Sequence, residues 1–453
     1  MLELPDAGAV LAGLARSNLL LVPLDRRGQW YRYHHLFRDI LLAELERQES
    51  GLIPVLRRRA AGWCLRNDLP EEALEYSMAA EDTGMAAGLV RDLFPTLDRQ
   101  SRVATLQRWI RWLDDRGEID RRPMLAVWAM LLAVETGQPA QAERWADAVD
   151  RWQYLDGARP EDPAAEGWAA VLRAILCRRG IEQMRADADE AAVKLKAENI
   201  VAPLATLLQG IVHILDGDLD GADPLLRDAV SATEDIRVPE VAATALCERS
   251  VVAMARGEWD QAERHARQAD VVLRRAGFED IFTTPLVCAV QARVAVHRGD
   301  VREARRQLAH AQRLRPLLTS ASPHIAVQAR LELTRVHLAL ADLAGARTLM
   351  REIDELIERR PDLGVLIGEA QALRDRLCSE HARSVPGASS LTAAELRVLP
   401  LLATHLSFPE IGAELFLSPH TVKSQAISIY RKLGAVSRSQ AVARSRELAL
   451  LEG

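Results

Sequence analysis

The sequence predicts an all-α protein built mainly of stacked helical hairpins. Aromatic residues make up 4% of the 453 residues and charged residues 27%, while alanine, leucine, arginine and glutamate dominate. This composition is typical of helical proteins. A short loop followed by an amphipathic helix also recurs along the middle of the chain, which indicates a helical repeat. The chain is too long for one compact core, so we expect several domains.

The repeated motif occurs in five copies, which begin at residues 137, 217, 257, 299 and 341. The gap of 80 residues between the first two predicts a degenerate sixth copy near residues 177–190. In every copy the fifth, ninth and twelfth residues after the first are small or apolar and share one helix stripe: Ala142, Ala146, Val149; Ala222, Leu226, Ala229; Ala262, Ala266, Ala269; Ala304, Leu308, Ala311; and Ala346, Met350, Ile353. Because each hairpin must cover this stripe with its neighbours, we expect a TPR-like, curved right-handed solenoid that binds a partner on its concave surface.

The first 50 residues follow a different pattern. Residues 6–16 favour a helix, residues 18–24 and 30–34 favour two strands joined by a glycine-bearing turn, and residues 36–48 favour an amphipathic helix. A helix, a hairpin and a helix amount to about half of a small winged-helix domain. We therefore expect a partial winged-helix segment at the N-terminus.

A polar linker at 381–390 predicts a separate C-terminal domain. Its four helices are expected at about 393–404, 408–415, 419–433 and 438–448, each after an N-cap hydroxyl, those of Thr392, Ser407, Ser418 and Ser437. About three residues separate the second helix from the third, so the two must cross steeply. This is the geometry of a helix-turn-helix.

The charge of this domain favours a polyanionic partner, although the whole chain carries a net charge of −6. The segment from Phe416 to Arg446 contains six basic residues and no acidic one: Lys423, Arg431, Lys432, Arg438, Arg444 and Arg446. In the third helix Val422, Ala426, Ile429 and Leu433 form an apolar stripe, expected to pack against Ile411, Leu415, Leu396, Leu399 and Leu402. The opposite face carries His420, Ser424, Ile427, Ser428 and Arg431, flanked by Thr421 and Lys423. A face without carboxylates suits the DNA major groove.

Residues 391–448, with their TVK, IYRKL and SRSQAV elements, resemble a LuxR-type DNA-binding domain. The resemblance implies that Lys423, Ser424 and Ile427 approach bases, and that Ser418, Thr421, Arg431 and Arg438 lie near phosphates. The sequence departs from the family pattern at Ala394, His405 and Pro409, and none of these lies on the expected groove face.

The stretch WYRYHHLFRDILLAEL (30–45) is similar to the winged helix of the large MalT-like subclass of LuxR regulators. In that subclass an ATP-binding domain precedes the winged helix, the helical-repeat sensor and the LuxR-type module. The resemblance implies that His34 would face bound nucleotide if an ATPase domain were supplied, and the alternative is an ordinary turn histidine. The absence of that domain here implies a truncated product or a misassigned start.

Other features exclude several classes of function. None of the four lysines follows a glycine-rich GxxxxGK[ST] loop, so we expect no cofactor and no ATPase activity in this chain. The five cysteines show no metal-ligand spacing. No apolar run reaches the roughly 18 residues of a membrane span, and no export signal is present, so a cytoplasmic, non-enzymatic protein is expected.

Together these patterns predict a partial winged-helix segment at 1–50, a TPR-like helical-hairpin solenoid at 51–380, a linker at 381–390 and a four-helix LuxR-type helix-turn-helix domain at 391–453. We expect a transcriptional regulator that binds double-stranded DNA as a homo-oligomer, with RNA polymerase and a small-molecule or protein inducer as further partners.

Three alternatives stay open. The protein could be an interaction scaffold with a non-functional helix-turn-helix, or its basic helices could only cap the repeats. Six tryptophans could either fill the core between early hairpins or form stacking platforms for a ligand: Trp109, Trp112, Trp128, Trp145, Trp152 and Trp168.

Overall fold

The computed structural model describes residues 7–17, 21–23, 31–153, 163–195, 201–233, 238–278, 280–383, 391–415, 417–447 and 450–451. Nearly all of these residues are helical, which confirms the all-α prediction. Within these ranges, no helix is both long and apolar enough to cross a membrane.

The N-terminal segment contains the predicted helix, hairpin and helix. They are α1 (Ala7–Arg16), β1 (Leu21–Pro23), β2 (Tyr31–Tyr33) and α2 (His35–Glu49). The strands are antiparallel, with Leu21 opposite Tyr33, and the expected glycine-bearing turn lies outside the described residues. His34 is exposed immediately before α2, where its ring lies 4.3 Å from that of His35.

Four helices connect this segment to the repeats: α3 (Leu52–Arg66), α4 (Pro70–Ala79), α5 (Thr83–Arg99) and α6 (Val103–Asp114). Buried Trp109, on α6, donates a hydrogen bond from Nε1 to Glu75 on α4. Trp128 and Trp145 are also buried, which confirms the core interpretation for these three, whereas Trp112 and Trp168 are half-buried. The side chain of Trp152 lies outside the described residues.

Six helical hairpins and a final helix form the repeat region. The hairpins are α7 (Pro123–Glu135) with α8 (Pro139–Gln153), α9 (Pro163–Leu176) with α10 (Ile181–Lys194), α11 (Ala202–Leu215) with α12 (Leu219–Ala232), α13 (Pro239–Ala255) with α14 (Trp259–Ala276), α15 (Thr284–His297) with α16 (Val301–Leu314), and α17 (Pro323–Ala339) with α18 (Leu343–Arg359). The last helix is α19 (Val365–Arg383). The degenerate copy is present as α9 and α10.

All fifteen predicted stripe residues are buried. The degenerate copy supplies the equivalent residues Met184, Ala188 and Ala191, which are also buried. The first residue of each of the five predicted copies has a positive φ. This angle is 66° at Gly137, in the first copy, and 57° at Ala341, in the last. Glycine adopts this conformation without steric cost, so its recurrence in these loops follows from the tight reversal between the two helices.

The end of the repeat region contacts its first hairpins, so the solenoid closes on itself. The segment between α18 and α19 contacts hairpins formed much earlier in the sequence: Arg360 Nε donates to the Leu176 carbonyl at 3.1 Å, and Asp362 Oδ2 accepts from the Ile181 amide at 3.2 Å. Arg360 also pairs with Glu143. In an open solenoid each repeat would contact only its neighbours. The contacts of Arg360 and Asp362 therefore join the last hairpin to the first two.

The repeat region contains a buried polar contact between distant hairpins. Gln328, on α17, donates from Nε2 to Oε2 of Glu248, on α13, at 2.7 Å. The other carboxylate oxygen of Glu248 has no hydrogen-bond partner. Burial raises the pKa of Glu248 to about 7, so folding favours its protonated form.

We expect Gly364→Ala to destabilise the protein more than Gly257→Ala. Both glycines have a positive φ, 57° and 76°, so each alanine incurs a backbone cost of about 1 kcal/mol. A Cβ at residue 364 would also lie 2.0 Å from the Leu215 carbonyl oxygen, whereas a Cβ at 257 would meet nothing within 4 Å. Urea denaturation measures the difference, and equal losses of unfolding free energy would contradict the closure.

We expect Glu248→Gln to stabilise the protein at pH 8 but not at pH 5. A folded-state pKa above the unfolded value means that stability is lost as the pH rises from about 4.5 through about 7. Glutamine removes this loss, which is on the order of 3 kcal/mol. Melting temperatures at the two pH values, with Glu258→Gln on the exposed start of α14 as the control, test this expectation. A gain that did not depend on pH would contradict it.

Candidate nucleic-acid interface

The C-terminal unit consists of four short helices that begin at the predicted caps. They are α20 (Ala393–Leu402), α21 (Phe408–Leu415), α22 (Pro419–Leu433) and α23 (Arg438–Glu447). Thr392 forms a complete capping box with Glu395. Ser418 Oγ accepts from the Thr421 amide at 3.1 Å. These hydrogen bonds satisfy amides that the first turn of a helix leaves unpaired, and so determine where α20 and α22 begin.

The two other caps differ from a full capping box. Glu410 accepts from both the amide and the hydroxyl of Ser407. The side-chain oxygen of Gln440 accepts from the backbone amide of Val436, and the backbone amide of Gln440 donates to Ser437 Oγ at 3.3 Å. All four predicted N-cap hydroxyls therefore form hydrogen bonds at the start of their helices.

A small apolar core holds the four helices together: Val398, Leu399, Leu402, Ile411, Val422, Ala426, Ile429, Leu433 and Ala441. The predicted stripe of α22 is buried, and Leu415 is partly buried against it. The expectation for Leu396 was wrong, because its side chain is 44% exposed. Val398, two residues later in α20, is buried instead.

Helices α21 and α22 are joined by a close turn. The Leu417 amide donates to the Gly412 carbonyl at 2.8 Å. A Cβ on Gly412 would lie 2.6 Å from the Leu417 carbonyl oxygen. Only a residue without a side chain allows this approach, so Gly412 is a structural requirement of the turn that the sequence pattern did not reveal.

The outward face of α22 is exposed to solvent. His420, Lys423, Ser424 and Arg431 are exposed, and Ile427 is 56% exposed although it is apolar. Ser418 is also exposed and Thr421 is half-buried, with their hydroxyl oxygens 2.7 Å apart at the start of the helix. We define the docking face as Ser418, His420, Thr421, Lys423, Ser424, Ile427 and Arg431.

Lys423 and Arg431 form no ion pair with any residue that the structure describes. No carboxylate occurs between Phe416 and Arg446. The N-terminal end of α22 adds a partial positive charge from its aligned peptide dipoles. The docking face therefore combines positive charge, hydroxyl donors and one exposed apolar side chain.

Ser428, which was predicted on the outward face, and Lys432 of the basic segment belong to an internal contact. Lys432 Nζ lies 2.6 and 2.9 Å from the two oxygens of Glu395, and Ser428 is half-buried and forms a hydrogen bond with the same carboxylate. Burial opposes ionisation of Glu395, but the hydrogen bonds from Lys432, Thr392 and Ser428 outweigh it and lower its pKa to about 2. Ser428 is therefore not a docking residue.

Arg438 is also engaged within the protein. Its guanidinium donates to the carbonyls of Leu401, Leu402, Thr404 and Leu406, at distances between 2.7 and 3.1 Å. These carbonyls lie at the end of α20 and in the following turn, where helix carbonyls lack intrahelical partners. The side chain therefore fastens α23 to the end of α20, and we do not include Arg438 in the docking face.

Comparison with known proteins identifies the family. The MalT-like TPR region matches residues 167–444, more than half of the chain, and the MalT winged helix domain matches residues 1–53. The chain belongs to the MalT-like TPR family. This confirms the resemblance inferred from the winged-helix stretch and from the repeats.

Two curated relatives illustrate the range of this family. The serine/threonine-protein kinase PknK of Mycobacterium tuberculosis is 31% identical over 208 residues, 43% of this chain and 18% of PknK. The HTH-type transcriptional regulator MalT of Serratia proteamaculans is 22% identical over 350 residues, 77% of this chain and 38% of MalT. This MalT-like chain therefore spans less than two fifths of either relative.

One solved structure is also similar. The Signal Transduction ATPase with Numerous Domains protein with a tetratricopeptide repeat sensor from Pyrococcus horikoshii aligns with 82% of this MalT-like chain and 59% of that protein. The TM-score is 0.48 and the sequence identity is 12%.

We expect Glu395→Gln to loosen the C-terminal unit by up to about 3 kcal/mol at neutral pH. A folded-state pKa below the unfolded value stabilises the unit above about pH 4.5, and this stabilisation is lost as the pH falls through about 2. Hydrogen exchange measured by mass spectrometry should show faster exchange across α20 and α22. Exposed Glu414→Gln, on α21, is the control, and equal exchange in both variants would refute the role of Glu395.

Proposed function

We propose that this chain is the sensor and DNA-binding part of a transcription regulator that acts in the cytoplasm. In this proposal residues 1–50 are a partial winged-helix segment, residues 51–380 are the helical-repeat sensor, residues 381–390 are the linker and residues 391–453 are the helix-turn-helix domain. Membership of the MalT-like family and the relative named as an HTH-type transcriptional regulator support the coarse assignment.

The exposed docking face is the observation that carries the DNA-binding proposal. A surface helix normally mixes acidic and basic residues. Here Lys432 and Arg438 are paired within the unit, while Lys423 and Arg431 stay exposed and without ion pairs to described residues. Each carboxylate on such a face would repel a polyanion, so a face without any favours contact with phosphates.

The geometry favours the major groove of double-stranded DNA. The second helix of a helix-turn-helix enters this groove with the N-terminal part of its outward face. We propose that Lys423, Ser424 and Ile427 approach base edges, where Ile427 can contact thymine methyl groups. Ser418, Thr421 and Arg431 would contact phosphates, and Arg438 is removed from this set because of its internal hydrogen bonds.

One such module offers few contacts. Useful affinity then requires two modules on half-sites about one helical turn apart, or a multiple of that distance. We propose that an inducer bound by the repeats changes the monomer–oligomer equilibrium. Analytical ultracentrifugation of the full chain with and without the inducer tests this, and an unchanged mass would reject it.

A scaffold function is the second candidate. It is favoured by one observation, that a relative named as a protein kinase is 31% identical over 208 residues. Sequence similarity to this chain therefore does not by itself imply DNA binding. In the scaffold case the folded chain would not bind duplex DNA at any salt concentration, and this outcome separates the two candidates. We propose no catalytic role for this chain.

We expect Arg431→Ala to weaken binding to mixed-sequence DNA and to make its salt dependence shallower. Loss of one phosphate contact reduces the slope of log K against log salt by about one unit. Fluorescence polarisation between about 50 and about 200 mM salt measures this slope. Arg351→Ala, at an exposed position of α18, is the control.

Ser424→Ala provides a matched contrast at a proposed base contact. Its slope should stay near that of the unmodified chain, while the preference between duplex sequences changes. An Arg431→Ala slope equal to that of the Arg351→Ala control would contradict the phosphate contact.

A further inference from the structure

The repeat region contains two adjoining cavities, which we call the inner and the outer chamber; both are lined by Asp98, Arg99, Glu135, Glu240 and Phe282. The inner chamber has a volume of about 110 Å³ and a mainly apolar lining that includes Phe94, Trp128, Trp168 and Ile211. The outer chamber, about 920 Å³, is lined by Ser101, Arg275, Asp280 and residues near them. An apolar cavity of about 150 Å³ holds a benzene molecule, so a ring in the smaller inner chamber would extend toward the outer one.

Three carboxyl groups lie at the junction of the chambers. Asp98 on α5, Glu135 on α7 and Glu240 on α13 line both chambers. Asp98 and Glu135 are joined by a hydrogen bond, which requires a shared proton. Burial raises the pKa of all three, that of Glu240 to about 7. Arg99 is the basic residue that lines both chambers with them.

The inner chamber also contains polar groups without partners. No hydrogen bond is formed by Trp128 Nε1, by Thr283 Oγ1 or by either ring nitrogen of His324. Glu240 Oε2, at the junction, also forms none. The three inner side chains are between 1% and 4% exposed. Burial lowers the pKa of His324 to about 4, so its ring is neutral and offers one donor and one acceptor. Native proteins seldom leave buried polar groups unsatisfied, and such groups point to a missing partner.

Aromatic packing holds the rings that line the inner chamber. Trp128 stacks on Phe94 with 4.9 Å between ring centroids, and Trp168 meets Trp128 edge-on at 4.7 Å. These contacts fix the indole, whose N–H still has no acceptor. The inner chamber therefore combines apolar side chains with the unpartnered indole of Trp128, the hydroxyl of Thr283 and the imidazole of His324.

We propose that this cavity binds a small hydroxylated aromatic amine. The ring would occupy the inner chamber, its hydroxyl would pair with Trp128, Thr283 or His324, and its ammonium group would lie between Asp98, Glu135 and Glu240. The inference rests on the proposed sensor role of the repeats and specifies the chemical class of their ligand.

The arrangement favours an organic cation over the other ligand classes. An anion would face three carboxyl groups with Arg99 alone at the junction. Among the described residues, no group of His, Cys, Asp or Glu side chains has the arrangement of a metal site. An oligosaccharide would leave most of its hydroxyls against apolar walls, at a high desolvation cost. An ammonium group would instead replace the protons that the carboxyl groups share.

Tryptophan fluorescence of the full chain, titrated with three probes that share one ring, tests the proposal. The probes are tyramine, a cation; p-cresol, which is neutral; and 4-hydroxyphenylacetate, an anion. We expect tyramine to bind about tenfold or more tightly than p-cresol, and the anion to bind most weakly. Equal affinities for cation and anion, or no saturable binding of any probe, would overturn the proposal.

Isosteric variants locate the interaction. Glu240→Gln should reduce tyramine affinity to that of p-cresol without changing p-cresol binding, whereas Glu258→Gln at the exposed start of α14 should change neither. Glu135→Gln provides a second variant, and circular dichroism confirms that each one folds. A tyramine preference that survives both substitutions would overturn the assignment. The measurement uses no DNA, so its failure would leave the DNA-binding proposal intact, and a failed DNA titration would leave this result intact.

Discussion

The structure of the repeat region depends on the close approach of helices across stripes of small side chains. Alanine at most stripe positions lets the second helix of each hairpin lie close against its neighbours, and no polar group has to be buried there. Close approach also fixes the step from one hairpin to the next. After six hairpins the chain returns to the first two hairpins of the repeat region, where Arg360 and Asp362 contact residues 143, 176 and 181.

Closure changes what the repeats can bind. An open solenoid presents a long concave groove to an extended partner. Here the repeat region closes on itself and contains buried ionisable groups, among them Glu240, Glu248 and His324. Such groups are costly to bury without partners. Glu240 and His324 line the inner chamber, whose volume suits a small ligand better than a peptide or a protein.

The C-terminal unit shows how internal pairing defines a functional surface. The charged residues of its basic segment are all positive, but neighbouring residues have different roles in the structure. Lys432 pairs with a buried carboxylate, and Arg438 donates hydrogen bonds to four carbonyls. Both side chains are half-buried, whereas Lys423 and Arg431 are exposed. The docking face is therefore smaller than the basic segment, and it is confined to α22.

Much of this could be predicted from the sequence because it depends on local periodicity. Cap residues located the helices of the C-terminal unit. The repeated motif located five hairpins, and the 80-residue gap between two copies located the degenerate sixth. Contacts between residues far apart in the sequence left no comparable pattern. The role of Arg438 depends on where α20 ends, the cavity depends on closure of the solenoid, and Leu396 was assigned to the core although Val398 occupies that place. Each depends on tertiary geometry that periodicity does not encode.

The central claim is that the outward face of α22 reads a DNA duplex. Selection of binding sites from a random duplex library with the full chain tests it most directly. The account predicts enrichment of a motif with two half-sites about one helical turn apart, or a multiple of that distance, and loss of this enrichment when Lys423 and Ser424 are both replaced by alanine. An unenriched library with the folded chain, or the same motif from the doubly substituted chain, would contradict it.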